Sequence, residues 1–397
     1  MPNIHQKPGL AFNQQQEDCV ELMKTHRAFL VDDAARGWNN VPEDIAHILI
    51  EGENYYALRV LERTYTDKID CIEIDPPYNT GNDFRYNDSF VDGKDECRHS
   101  KWLSVMSNRL TIARKLLSNR GIIMIHISDV ELYHLKILCD EIFGENNFVG
   151  NFIWETKRGA KGVPPKKMLV FNHEYVLCYC KDIDGPFKFN GDERSDDDFS
   201  NPDSDPRGLW RKEPMGATGR ASNYYDIVNP ETGIKYNGNW AFSQDTVQEM
   251  IADGKIIWPK KPTGRPFQKK FKDTYRNPTK SISTALGLFN TADDTKNLMK
   301  MFGGKKVFDH PKPLLLIKYL VKQSTQKDSI VLDFFAGSGT TGQSVAELNR
   351  EDGGTRQFIL VTNNEGNIAQ EVTYKRLEKT IGPYTNLQYF RVETTSN

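Results

Sequence analysis

The chain has 397 residues and a formal net charge of −2, which leaves room for about two or three domains but gives no overall attraction for nucleic acid; such a partner needs local basic patches. With 38% hydrophobic and 27% charged residues, the composition is that of neither a disordered nor a membrane protein. No apolar run approaches a membrane span, and Met1-Pro2-Asn3-Ile4-His5-Gln6-Lys7 lacks the apolar core of a signal peptide, so a cytoplasmic protein with no membrane partner is expected.

Residues 1 to 40 are polar and poorly periodic apart from one expected short helix near Cys19 to Met23, and 1–44 form an N-terminal extension without an assigned role. A strand-like run from Ile45 to Ile50 is broken by Glu51-Gly52-Glu53-Asn54, and Tyr56, Leu58, Val60 and Leu61 follow at helical spacing. The stretch from Lys68 to Gly81 is the first candidate site. Ile69, Ile72 and Ile74 make it apolar enough for a parallel strand covered on both faces, while Cys71, Glu73 and Asp75 share one side. Pro76 and Pro77 have no N–H to donate and must leave the sheet, which puts Asp75 at a carboxyl edge, where open α/β sheets bind ligands. The bland alternative is a strand stop followed by an Asn-Thr-Gly turn. The polar stretch from Asn82 to Ser100 leaves directly from this point and is read as a cover over substrate.

Trp102, Val105, Met106, Leu110, Ala113, Leu116 and Leu117 recur at helical spacing, with Gly121 as the expected stop. Ile122 to Asp129 is the next buried strand and Leu132 to Ile142 the helix that covers it, with His126 expected to be a satisfied core histidine. Strand, helix, strand, helix implies a parallel sheet. Two further strands, Phe148 to Glu155 and Leu169 to Lys181, flank a basic loop from Thr156 to Lys167, in which Lys157, Arg158 and Lys161 are candidate phosphate contacts. The six cysteines fit neither a disulfide framework nor a zinc spacing, so no metal is expected.

From Asp182 to about residue 305 the chain is rich in Gly, Pro, Asn and Asp without strand and helix alternation, as in a separate loop-rich lobe. Its stretch from Lys260 to Arg276 interleaves cations and rings as a nucleic-acid groove does, and offers Lys269, Lys270 and Lys272 to phosphates. The acidic run from Asp192 to Asp198 restricts any such face to the second half of the lobe. Regularity then returns with a helix from Pro313 to Val321 and a short strand from Asp328 to Asp333. That strand runs into Phe334-Phe335-Ala336-Gly337-Ser338-Gly339-Thr340-Thr341-Gly342, and a helix follows from Ser344 to Leu348. Strand, glycine-rich turn and helix form a cradle for a nucleotide-like ligand, including Ser338 and Thr340. The glycines alone also fit a nicotinamide oxidoreductase. Asp333 and Phe335 favour S-adenosylmethionine, with a carboxylate for its ammonium and a ring beside its adenosine. The next strand, Gln357 to Thr362, ends in Asn363-Asn364-Glu365, where a ribose-binding group belongs.

These motifs resemble the amino-methylating DNA methyltransferases of the permuted beta order, in which an Asp-Pro-Pro-Tyr motif precedes the target-recognition region and a Phe-x-Gly-x-Gly motif follows it. The resemblance covers about residues 45 to 395, and Asp75 to Gly81, Asp333 to Thr341, Asn363 to Glu365 and Val372 to Arg376 look most like modification subunits of Type III restriction systems. It implies an α/β fold: a Rossmann-like sheet in circularly permuted motif order with an inserted loop-rich target-recognition lobe. The expected division is 45–182 for the catalytic half, 183–305 for target recognition and 306–397 for the cofactor half.

The resemblance further implies methyl transfer from S-adenosylmethionine to a flipped base in double-stranded DNA. Asp75 and the Pro76 carbonyl, stiffened by Pro77, would accept from the exocyclic amine, and Tyr78 would stack on the base. His310-Pro311-Lys312-Pro313 matches the family's entry into a cofactor-binding helix, which places Lys312 among cofactor contacts. Asp before Pro-Pro-Tyr goes mostly with adenine N6, with cytosine N4 as the alternative and a non-catalytic DNA-binding subunit as the rival from another class. A homodimer and a restriction subunit are the partners it admits; Type III modification subunits continue beyond the counterpart of Leu387 to Phe390, which counts against the restriction subunit.

Overall fold

The computed structural model describes residue 12 and residues 16–42, 46–80, 97–159, 168–217, 223–275 and 279–397. These form two compact units, one of residues 1–190 with 282–397 and one of residues 191–281.

The larger unit is built on an eleven-stranded sheet. In chain order its strands are β1 (His26–Asp32), β2 (Trp38–Asn39), β3 (Ala46–Glu51), β4 (Ile69–Ile74), β5 (Leu117–Ile127), β6 (Phe148–Glu155), β7 (His173–Cys180), β8 (Ala285–Leu288), β9 (Ile330–Asp333), β10 (Gln357–Thr362) and β11 (Asn386–Ser396). Across the sheet the order is β1, β11, β3, β10, β9, β4, β5, β7, β6, β8, with β2 paired to β11. The run β11, β3, β10, β9, β4, β5 is parallel throughout; β1 and β7 pair antiparallel with their neighbours, and β8 is parallel to β6.

Parallel strands need helical crossovers, and the crossovers here cover both faces. Helices α1 (Asn54–Tyr65), α2 (Arg98–Leu116) and α3 (Leu132–Phe143) pack Leu58, Leu110 and Leu135 with Ile72 and Ile74 of β4. On the other face, α4 (Leu314–Ser324) and α5 (Thr340–Asp352) pack Leu316, Leu320 and Val345 with Cys71. All six residues of β4 are buried, as a doubly covered strand requires. From β4 the chain crosses through α2 to β5 on one side, and from β9 through α5 to β10 on the other. The strand order therefore reverses between β4 and β9, and a crevice opens at their carboxyl ends. This is a Rossmann-like sheet, with the strand that precedes Asp75 earlier in sequence than the strand of the glycine turn.

Several expectations change. Gly121 does not cap α2, which ends at Leu116 and passes straight into β5. Its own place is beside a register shift between β4 and β5, where an added Cβ would meet the Ile69 carbonyl oxygen at 2.8 Å. The N-terminal extension contributes two strands rather than helix alone, because β1 zips along β11 from His26 opposite Ser396 to Asp32 opposite Phe390. The smaller unit is also narrower than the stretch marked by composition, since β8 and the helix Thr291–Met301 belong to the larger one.

The smaller unit has its own core of Met215, Ile227, Tyr236, Trp240 and Val247. Three strands, Trp210–Pro214, Phe267–Phe271 and Ile256–Ile257, form one sheet, and Tyr224–Val228 pairs with Lys235–Asn239 in a hairpin. The helix Gln244–Ala252 is capped by the Ser243 hydroxyl, which accepts from the Thr246 N–H.

Candidate active site

Asp75 leaves the sheet one residue past β4, at the strand reversal. Its Oδ1 lies 3.1 Å from the Lys312 ammonium, which also sits 3.2 Å from Oε2 of Glu174 on β7. The same Glu174 oxygen accepts from the Tyr78 hydroxyl at 2.9 Å, and the ammonium lies 4.7 Å from the centre of the Tyr78 ring. One partly buried lysine thus ties the carboxylate to the aromatic ring three residues later. Lys312 is held above the usual lysine range despite burial, by Asp75 and Glu174, and Glu174 is held below its usual range mainly by Lys312. The Pro77 carbonyl accepts from the Trp102 indole at 2.7 Å, which pins the diproline to α2.

Asn79 stands in the left-handed region at φ 55° and donates to Glu131 Oε1 at 2.6 Å. Fully buried Glu131 also holds His99 at 2.6 Å and His134 at 3.0 Å through their Nδ1 atoms. The two imidazoles and the carboxylate are close enough to share a metal ion. Both carboxylate oxygens already carry hydrogen bonds, however, and these account for the cluster as an anchor for Asn79 and the loop it belongs to.

On β9, Asp333 Oδ1 accepts from the Phe335 N–H at 3.0 Å and Oδ2 from the Thr341 hydroxyl at 2.6 Å. Burial pushes its pKa up to about 8, and the neighbouring carboxylates Glu73 and Asp75 add to the rise. Gly337 and Gly339 take φ of 48° and 80°, a region that disfavours side chains, and an added Cβ would meet the Phe308 ring at 3.0 Å and the Thr373 methyl at 3.1 Å. Fully buried Arg376 braces the turn by donating to the hydroxyls of Ser338 at 2.9 Å and Thr340 at 2.7 Å. The sequence marked Val372 to Arg376 only by resemblance; its physical task here is to hold this turn.

A cavity enclosing about 970 Å³, open solvent included, joins the two motifs. Asp75, Pro77, Lys312, Asp333, Phe335, Gly337, Ser338, Thr340 and Asn363 all line it. Pro76, Tyr78, Gly339, Asn364 and Glu365 stand outside its lining; Asn364 accepts from the Gln370 N–H at 3.4 Å and Glu365 is exposed. The cavity also takes Glu53, Asn54, Glu73 and Arg109, which the sequence did not single out. Glu53 and Asn54 follow a strand at the same carboxyl edge, which was the available signal. Arg109 ties them in, donating to Asn54 Oδ1 at 2.5 Å and to Glu53 Oε1 at 2.6 Å. These residues fit S-adenosylmethionine, since left-handed glycines permit close backbone approach and buried acids face the same space.

The basic candidates separate. Lys157 and Arg158 are exposed, whereas Lys161 and the rest of the basic stretch from 160 to 167 lie outside the described residues, as do 82–96 of the expected cover and Arg276. In the smaller unit, Lys269 is ion-paired with Asp203 and, at 3.0 Å, with Asp205, while Lys272 pairs with Asp196. Lys270 rests 5.4 Å from the centre of the Tyr275 ring. Much of the charge counted as a basic stretch is therefore balanced within the unit by the acidic residues around 196–205.

The Type III enzyme StyLTI Mod subunit of Salmonella typhimurium is 34% identical over 370 residues, covering 84% of this chain and 55% of its own. The Type II methyltransferase M.KpnI of Klebsiella pneumoniae is 33% identical, covering 82% of each chain. This chain thus spans little more than half the length of the StyLTI subunit. Among solved structures, the cytosine-N4-specific PvuII DNA methyltransferase aligns at a TM-score of 0.43 with 13% identity, over 85% of this chain and 93% of that one. A family model for N6 and N4 methyltransferases, described as DNA methylase, matches residues 69–389, from the first residue of β4 into β11, and the chain belongs to that family.

Proposed function

We propose that the protein transfers a methyl group from S-adenosylmethionine to the exocyclic N6 of an adenine flipped out of double-stranded DNA. The observation that carries this reading is the single cavity shared by Asp75 and Asp333, with the Asp75 carboxylate oriented by Lys312. An exocyclic amine is a poor nucleophile because its lone pair is delocalised into the ring, so acceptors must draw its N–H bonds out of the ring plane. Asp75 supplies one acceptor and the Pro76 carbonyl the second, and Asp75 is placed to accept the proton that the amine sheds. Tyr78, fixed through its hydroxyl by Glu174, offers a ring face for the extruded base. Bound in the glycine cradle, S-adenosylmethionine supplies a methyl group already activated on a sulfonium. Positioning and electrostatics are then the protein's task.

Adenine is favoured over cytosine by Asp at the head of the motif, and the Mod subunits among the relatives favour a restriction-modification setting with a restriction subunit as partner. Mass spectrometry of nucleosides from DNA methylated in vitro is expected to find N6-methyladenine; N4-methylcytosine alone would overturn the base assignment and leave the mechanism standing. For DNA contact, exposed Lys157 and Arg158 are the better-placed cations. Changing both to Ala is expected to weaken binding to all sequences and to flatten its salt dependence by about 0.9 per lost phosphate contact. An unchanged salt slope would remove them from the DNA face.

A further inference from the structure

The parallel register pairs Leu332 of β9 with Ile72 of β4, so the next residues, Asp333 and Glu73, stand side by side at the carboxyl edge. Both line the cavity, and both are buried. Their oxygens are used differently. Asp333 has both engaged, by Phe335 and Thr341. Glu73 gives Oε1 to His126 Nε2 on β5, while its Oε2 has no hydrogen-bond partner among the described residues, although Glu73 is only 1% exposed. A buried carboxylate oxygen left unsatisfied is expensive unless a donor or cation meets it.

The cations nearest the cavity are already committed. Lys312 is held by Asp75 and Glu174, and Arg109 by Glu17 and Glu53. Burial and Asp75 push the Glu73 carboxyl well above the usual range, as for a group awaiting positive charge. Among the described residues, Asp75, Asp333, Lys312, His126 and the buried thiols Cys71 and Cys178 are the charged or titratable groups around it.

We propose that Glu73 reads the charge of the cofactor, its free Oε2 favouring the cationic S-adenosylmethionine over the neutral thioether product S-adenosylhomocysteine. This rests on the reading of the cavity as an S-adenosylmethionine site. The two molecules share the adenosine, the ammonium and the carboxylate, and they differ by one methyl group and one positive charge. A carboxylate aimed at that charge releases the product in exchange for fresh cofactor, a task that Asp333 does not perform if it holds the ammonium common to both.

The test is isothermal titration of both ligands into the wild-type full chain and into Glu73→Gln, which keeps the shape and the bond to His126 while removing the charge. The expected result is a tenfold or larger fall in the ratio of the two affinities, equivalent to about 1.4 kcal/mol. An unchanged ratio overturns the proposal, whether both affinities hold or both fall together, and leaves Glu73 as a structural partner of His126. If the wild type binds neither ligand, the cofactor reading itself fails. Should Glu73→Gln not fold, Glu73→Met fills the same volume without charge and is judged by the same ratio.

Discussion

Asp75→Ala is expected to lower the rate of methyl transfer by roughly 10²–10⁴-fold, the range for loss of a positioned acid or base, while S-adenosylmethionine still binds. The separation follows from the geometry. On the proposed function Asp75 would face the amine from the loop after β4, whereas Asp333 and the left-handed glycines belong to β9 and its turn. Folding should survive, because Asp75 is about one-third exposed and Lys312 keeps its second partner, Glu174. Single-turnover transfer measured beside calorimetric cofactor binding gives the answer. More than about one-tenth of wild-type transfer in the variant would sink the assignment of Asp75.

The second large effect concerns Asp333 and carries opposite signs for binding and stability. In the folded protein its pKa is pushed up to about 8, whereas an unfolded Asp titrates near 3.9. The folded state therefore holds a proton that the unfolded chain releases. The stability from that proton is fully present below pH 4 and is lost as the pH rises through 8, at a cost of a few kcal/mol. Asp333→Asn does not titrate. The ligand-free variant is expected to melt at the wild-type temperature or lower near pH 4 and roughly 2–5 °C higher at pH 8, while losing most of its affinity for S-adenosylmethionine. A melting difference that stays flat between pH 4 and 8 would mean that the buried charge carries no such penalty.

What the sequence made legible is what local rules control. Period-two apolarity, the diproline stop and the order of strand, glycine turn and helix are enough to put Asp75 and Asp333 each at the end of a strand. What it hid depends on distant partners. Leu30 and Val31 of β1 carry no clear alternation because their meaning comes from Val392 and Arg391 across the ladder. Lys269 reads as a free cation until Asp203 and Asp205 are found beside it. Gly121 is indistinguishable in sequence from a helix stop, since a C-cap and a crowded strand both exclude a side chain for steric reasons. His126 reads as an ordinary core histidine, and only the fold places it against an acid with an oxygen to spare. Lys312, placed among cofactor contacts by resemblance, reaches the Asp75 carboxylate as well as the cavity.

The pairing of β4 with β9 has a consequence for how the protein comes into being. The Ile330 N–H donates to Asp70 at the start of β4 across a separation of 260 residues. On a ribosome adding about 5–20 residues per second, β4 waits roughly 10–50 s for its neighbour. Throughout that interval an apolar strand has one open edge, which makes it a target for chaperones and a hazard for mispairing. On the proposed function the nascent chain is also inactive meanwhile, because the half with Asp75 has no Asp333 and no glycine turn. On the proposed function, catalytic competence is thus reached only once β9, made about 260 residues later, slides in beside β4.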